Sequence, residues 1–116
     1  MTITAAIEPN DLAIHFIEHA NAGDVDALVA LYEPDAVLAF PPGAVSTGHA
    51  QIRAVYEQFV SFAPPLTRGT LHPPLICGDL ALTVATQTNG DLTVGIARRR
   101  ADGTWRWVVD QPALVA

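Results

Sequence analysis

Basic residues are scarce in this 116-residue chain: six arginines and no lysine stand against twelve aspartates and glutamates, for a net charge of −6 and an isoelectric point near 4.8. A surface of that sign repels phosphate backbones and anionic lipid, which disfavours nucleic-acid and peripheral membrane roles and leaves small, apolar or weakly polar partners. Cysteine is nearly absent. Cys77 stands alone, so no disulfide can staple the fold within the chain, and a reducing compartment is expected. Beside the Gly78-Asp79 turn it reads as a small hydrophobe at a strand end. No apolar run approaches membrane-spanning length. Met1 to Glu8 lacks the basic start and long apolar stretch of a secretory leader, and the expectation is a soluble cytoplasmic protein. Nucleophile elbow, phosphate-binding glycine loop and dinucleotide fingerprint are also missing, so no cofactor is expected. His15 and His19 have the spacing of a metal pair on a helix, but no third ligand comes at a matching local distance. His49 and His72 sit beside loop or proline-rich segments, and no metal site is expected.

What the chain does contain is half hydrophobic, enough for one core and one domain over residues 1–116. After Pro9-Asn10-Asp11 as a cap, Leu12, Ala13, Phe16, Ile17 and Ala20 share a helical face that ends at Gly23. His15 falls off that face, toward solvent, and His19 flanks it near the mouth of any pocket. Asp24 caps a second helix with Val25, Leu28, Val29 and Tyr32 on one side, and Pro34 stops it. Ala36 to Phe40 reads as a short strand closed by Pro41-Pro42-Gly43. A third helix begins near Gly48, buries Ile52, Val55, Tyr56 and Phe59, and stops at Pro64-Pro65.

The second half alternates like strands between three turn signals, Cys77-Gly78-Asp79, Asn89-Gly90-Asp91 and Asp102-Gly103. They predict a four-strand antiparallel meander. Two-residue loops at Asn89-Gly90 and Asp102-Gly103 pair Val84 with Gly95 and Gly95 with Asp110. One face then carries Val84, Gly95, Arg99, Arg106, Val108 and Asp110, and the other Leu92, Val94, Ile96, Trp105, Trp107 and Val109. Helices on one side cannot bury both faces, so the tryptophan stripe is expected to meet a second copy of the chain. A bulge in either hairpin would swap the faces and make the stripe core.

Asn21-Ala22-Gly23-Asp24-Val25-Asp26-Ala27-Leu28, Leu31-Tyr32-Glu33-Pro34-Asp35-Ala36 and Asp102-Gly103-Thr104-Trp105-Arg106 resemble the NTF2-like superfamily in its SnoaL-like and ketosteroid isomerase-like branch, from Leu12 to Pro112. The resemblance implies an α+β, cystatin-like cone of three helices on a curved, mostly antiparallel sheet, often a homodimer through the outer sheet face. It implies a cavity bounded by the first helix, the short strand, the third helix and the inner sheet face, here lined by Phe16, Tyr32, Phe40, Tyr56, Phe59, Val84, Gly95, Arg99 and Val108. The isomerases of the branch use a carboxylate base and two hydrogen-bond donors on an enolate oxygen. Carried across, those positions fall on Phe40, Phe16 and Gly95, so that apparatus is lost, while Tyr32 and Tyr56 match two supporting tyrosines. Either tyrosine would equally serve as packing.

Asp110, opposite Gly95, is the candidate catalytic residue, because a carboxyl beside Phe16 and Phe40 should have a raised pKa suited to acid–base work. At a strand end before Pro112 it would equally serve as a hydrogen-bond acceptor. Arg99, sent inward by alternation, would suit a ligand carboxylate, or would simply be a solvated strand end. The expectation is a protein that holds a small, largely apolar ligand, with isomerase, cyclase or dehydratase chemistry at Asp110. The alternative is a non-catalytic binding or dimerisation module whose cavity its own aromatics fill.

Overall fold

The computed structural model describes residues 5–63 and 65–114; Met1 to Thr4 of the opening segment, Pro64 of the expected helix stop and the last two residues of the expected domain lie outside them. The elements run α1 (Asp11–Ala22), α2 (Val25–Val29), β1 (Tyr32–Leu38), β2 (Ser46–Thr47), α3 (Gly48–Phe62), β3 (Thr70–Leu71), β4 (Leu75–Cys77), β5 (Leu80–Thr86), β6 (Leu92–Arg99) and β7 (Trp105–Leu114). The strands form one sheet in the order β2-β1-β7-β6-β5-β3, with β4 also on β5. Only the β1–β7 pairing is parallel. The helices pack on one face of this curved sheet, with β1 and β2 threaded between them in the chain.

Local chemistry explains most boundaries. Gly23 ends α1 in the left-handed region at φ 69°, which glycine adopts without a Cβ clash. Asp24 caps α2 by accepting from the Ala27 N–H at 3.1 Å. Asn10 does not cap α1 through its side chain; its amide donates to the His72 carbonyl instead. Tyr32 starts β1 rather than continuing α2. The exposed Pro34 is tolerated inside that strand because the pairing with β7 is interrupted between Tyr32 and Val37.

The faces of the meander differ from the alternation argument for one reason repeated twice. Both turns carry three residues rather than two, since Gln87 N–H donates to Asp91 and Arg100 N–H to Thr104, with Gly90 and Gly103 at φ 93° and 85°. Gly95 therefore faces Thr83, and Val84 faces Val94, which turns Val84 to the outer side. In the next hairpin Ala97 faces Trp107 while Ile96 faces Val109, so Val108 is the extra residue of a bulge. That bulge puts Trp105, Trp107 and Asp110 on the same inner side. The expected outer position of the tryptophans is thereby corrected: Trp105 and Trp107 are 6 % and 3 % exposed, inside the core with Leu12, Leu28, Tyr32, Ile52 and Tyr56. The pairing of Gly95 with Asp110 holds, because the turn and the bulge offset each other.

Gly95 is where the sheet accommodates an indole. A Cβ there would lie 2.7 Å from Trp107 Nε1 and 3.1 Å from Thr83 Oγ1, closer than packed atoms approach. Gly95→Ala is therefore expected to destabilise the protein by about 1–3 kcal/mol, read from urea unfolding followed by tryptophan fluorescence. An unchanged midpoint would contradict the packing described.

Candidate functional site

Between α1, α3 and the inner sheet face lies a cavity of about 380 Å³, with Phe16, Phe40, Tyr56, Phe59 and Trp107 as its aromatic walls and Asp110 among its lining groups. Phe16 packs edge-on against Tyr56 and Trp107, with centroids 5.8 and 6.4 Å apart. Phe40 does the same against Phe59 at 5.7 Å. The walls are thus braced on one another and leave the space between them open.

The polar chemistry sits at the floor. Tyr32 donates its hydroxyl proton to Asp110 Oδ2 at 2.5 Å. With that proton committed, the 2.6 Å contact between the two phenols has Tyr56 as donor to Tyr32. All three groups are essentially inaccessible to solvent. Asp110 Oδ1 is buried and has no hydrogen-bond partner among the described residues. Removal from water raises the Asp110 pKa to about 7, against a smaller lowering by the Tyr32 hydrogen bond. Burial first, and the charge of Asp110 second, push both phenols well above their usual range. The tyrosines are thus donors and relays in this arrangement, and the carboxyl is the member that changes charge near neutrality.

Several expected positions fall elsewhere. Tyr32 lies behind the wall and reaches the cavity through its hydrogen bonds with Asp110 and Tyr56, and Gly95 lies beneath the Trp107 indole. Val84 is on the outer face and Val108 is the bulge residue; neither lines the cavity. Arg99 is exposed, paired with Asp79 at 2.9 Å, and is not part of the cavity lining. His15 is buried at 9 % exposure rather than facing solvent, and His19 is not at the mouth. His49 meets the Tyr32 carbonyl and His72 the Thr86 hydroxyl. Among the described residues no three His, Cys, Asp or Glu side chains gather as a metal set would.

One lining segment had no sequence signal. Residues 65–69, between α3 and β3, cross the mouth and contribute Leu66 and Arg68. Asn21 grips this strap at both backbone polar groups of one residue, donating to the Leu66 carbonyl at 2.9 Å and accepting from its N–H at 2.7 Å. At the far end Gly69 is pressed so closely on β5 that a Cβ would stand 2.0 Å from the Thr86 carbonyl oxygen. Opposite, Gln87 donates to Thr93 Oγ1 and to the Pro112 carbonyl, and its amide hydrogens are used up on the protein.

The family profile described as the SnoaL-like domain matches residues 13–113. No curated protein matches the sequence. Solved structures share the fold at low identity. A ketosteroid isomerase-like protein from Erwinia carotovora atroseptica is 19 % identical, with a TM-score of 0.72 over 88 % of this chain and 89 % of that one. A proposed calcium/calmodulin-dependent protein kinase type II association domain from Thiobacillus denitrificans is 17 % identical, with a TM-score of 0.74 over 97 % and 98 %. A proposed dehydratase of the NTF2-like family from Streptomyces avermitilis is 20 % identical, with a TM-score of 0.71 over 91 % and 94 %.

The raised pKa of Asp110 has a thermodynamic counterpart. Between its ordinary value of 3.8 and about 7 the folded protein holds a proton that the unfolded chain has released, so the contribution of Asp110 to stability is fully present below that window and is lost as pH rises through it. Asp110→Asn removes the titration. The difference in stability between variant and wild type should shift in favour of the variant by up to about 4 kcal/mol from pH 4 to pH 8, measured by urea unfolding at each pH. A difference that does not change with pH would show that Asp110 ionises normally.

Proposed function

This chain belongs to the family of SnoaL-like domains, and we propose that it binds a small, largely apolar ligand in the cavity and moves a proton on it with Asp110. The observation that carries this is the carboxyl itself: Oδ2 is fixed by Tyr32, Oδ1 is buried without a partner, and the residue borders an apolar cavity. A carboxylate held by one oxygen keeps the other oriented, and a pKa near neutrality lets it take a proton from carbon and return it. Tyr56 and Tyr32 stabilise its charged form by hydrogen bonds passed along the row. One group acting alternately as base and acid suffices for isomerisation or dehydration of a carbonyl compound. The groups that carry it differ from those of the ketosteroid isomerases that the sequence resembles, whose base and first donor positions fall on Phe40 and Phe16 here.

Those two phenylalanines favour a second reading, a cavity that binds without turnover. Proton exchange separates the two. With β-tetralone in deuterium oxide, the wild type should accelerate deuterium uptake at the carbon beside the carbonyl, with a rate that rises with pH to a plateau above about 7, and Asp110→Asn should lose about 10²-fold or more of that acceleration. Equal rates for both proteins, followed by proton NMR, would leave the binding module.

We also propose that the outer sheet face meets a second copy. Leu75, Leu82, Ile96 and Val109 form one continuous row across β4, β5, β6 and β7, each 37–70 % exposed, and a straight apolar row of that extent is uncommon on a solitary domain. One of the solved structures that shares the fold is described as an association domain. Ile96→Glu should convert a dimer to a monomer in sedimentation equilibrium; a wild type that sediments as a monomer would refute the pairing.

A further inference from the structure

We infer that the ligand of this cavity carries a carboxylate, held at the mouth by Arg68, at the end of an apolar body whose other end bears the oxygen function facing Asp110. The inference rests on the reading of the cavity given above and adds the class of molecule it takes.

The cavity lining contains two ionisable side chains of opposite sign, Asp110 and Arg68. They occupy different depths: Asp110 is 1 % exposed, whereas Arg68 is on the exposed strap. Much of the remaining polar lining is satisfied internally. Gln87 spends its amide on Thr93 and Pro112, the Thr93 hydroxyl donates to the Pro112 carbonyl, and Tyr56 donates to Tyr32. The charged side-chain groups of the lining available to recognise a ligand are Asp110 Oδ1 at the floor and a guanidinium at the rim.

Arg53, Arg98 and Arg99 pair with Asp26, Glu33 and Asp79; Arg68, like Arg100 and Arg106, has no acidic partner among the described residues, and of these three Arg68 alone lines the cavity. The backbone that presents it is held on both sides, by Asn21 at Leu66 and by the close approach of Gly69 to Thr86. A guanidinium on a held strap offers two parallel donors to a carboxylate, with the arginine's own rotamers left to order. The net charge of −6 repels anions elsewhere on the surface, so one cation at the mouth discriminates locally rather than by long-range attraction. Orientation follows as well. A ligand carboxylate at the floor would be desolvated against Asp110, whereas at the rim it meets Arg68 and water.

Two fluorescent probes test this with wild type, Arg68→Gln and Asp110→Asn: β-naphthol, an apolar body with a hydroxyl, and 6-hydroxy-2-naphthoate, which adds a carboxylate at the opposite end. The naphthoate should bind the wild type about tenfold more tightly than β-naphthol, and added salt should reduce that preference. Arg68→Gln should abolish it while leaving β-naphthol affinity within about twofold; Arg68→Lys should restore part. If Arg68→Gln leaves the preference intact, or if none exists, the carboxylate assignment is overturned, while the cavity reading survives provided β-naphthol binding still responds to Asp110→Asn. Failure of both probes to bind, or binding of both that ignores Asp110→Asn, overturns both.

Discussion

A short run of hydrogen bonds, from Tyr56 to Tyr32 to Asp110 Oδ2, is the interaction on which the rest of this molecule turns. It joins α3, β1 and β7 at the point where helices and sheet meet, and its three side chains are buried. Polar groups in such a place are costly unless each finds a partner. Here the two phenols are satisfied and the last carboxylate oxygen is not. The core is thus built to tolerate one incompletely paired acid next to an open space, and that residual imbalance is the source of its proposed reactivity.

The surrounding architecture keeps this acid buried without filling the cavity. The Val108 bulge brings Trp107 and Asp110 to the same side of β7, three residues apart. Gly95 then lets the indole lie directly on the neighbouring strand, where its Nε1 donates to Thr83 Oγ1 at 3.3 Å. With an ordinary side chain at 95, Trp107 would have to leave the wall. Phe16 and Phe40 complete the enclosure with hydrocarbon, which removes water from the carboxyl and raises its pKa more than Tyr32 lowers it. The strap over the mouth adds polarity at the other end. One cavity thus has a proton-active floor, apolar walls and a cationic rim.

Much of this was legible in the residues. Helix ends at Gly23 and Asp24 and the buried face of α3 follow from capping chemistry and period, whereas the pairing of Gly95 with Asp110, expected from two-residue turns, holds only because the longer turn and the Val108 bulge offset each other. What was not legible depended on single-residue offsets. A turn of three residues and a turn of two carry the same Asn-Gly or Asp-Gly signal, yet they send Val84 to opposite faces. Nothing in Trp105-Arg106-Trp107-Val108-Val109 marks Val108 as a bulge, so the tryptophans read as an outer stripe while they form the inner wall. Tyr32 followed the helical period of α2 but belongs to β1, where it can reach Asp110. Arg99 looked like the cation for a ligand because alternation pointed it inward, but it lies at the strand end within reach of Asp79. Arg68 was invisible because the strap has no periodicity; only Asn21 and Gly69, distant in the chain, place it at the mouth.

The account stands on the protonation behaviour of one carboxyl. A carbon-13 NMR titration of the aspartate carboxyl resonances, with Asp110 assigned by comparison with Asp110→Asn, measures it directly. The account predicts a midpoint about three pH units above that of an ordinary aspartate, near 7. A midpoint near 4 would contradict it, since a carboxyl that ionises like one in water is neither desolvated nor poised to exchange a proton at neutral pH.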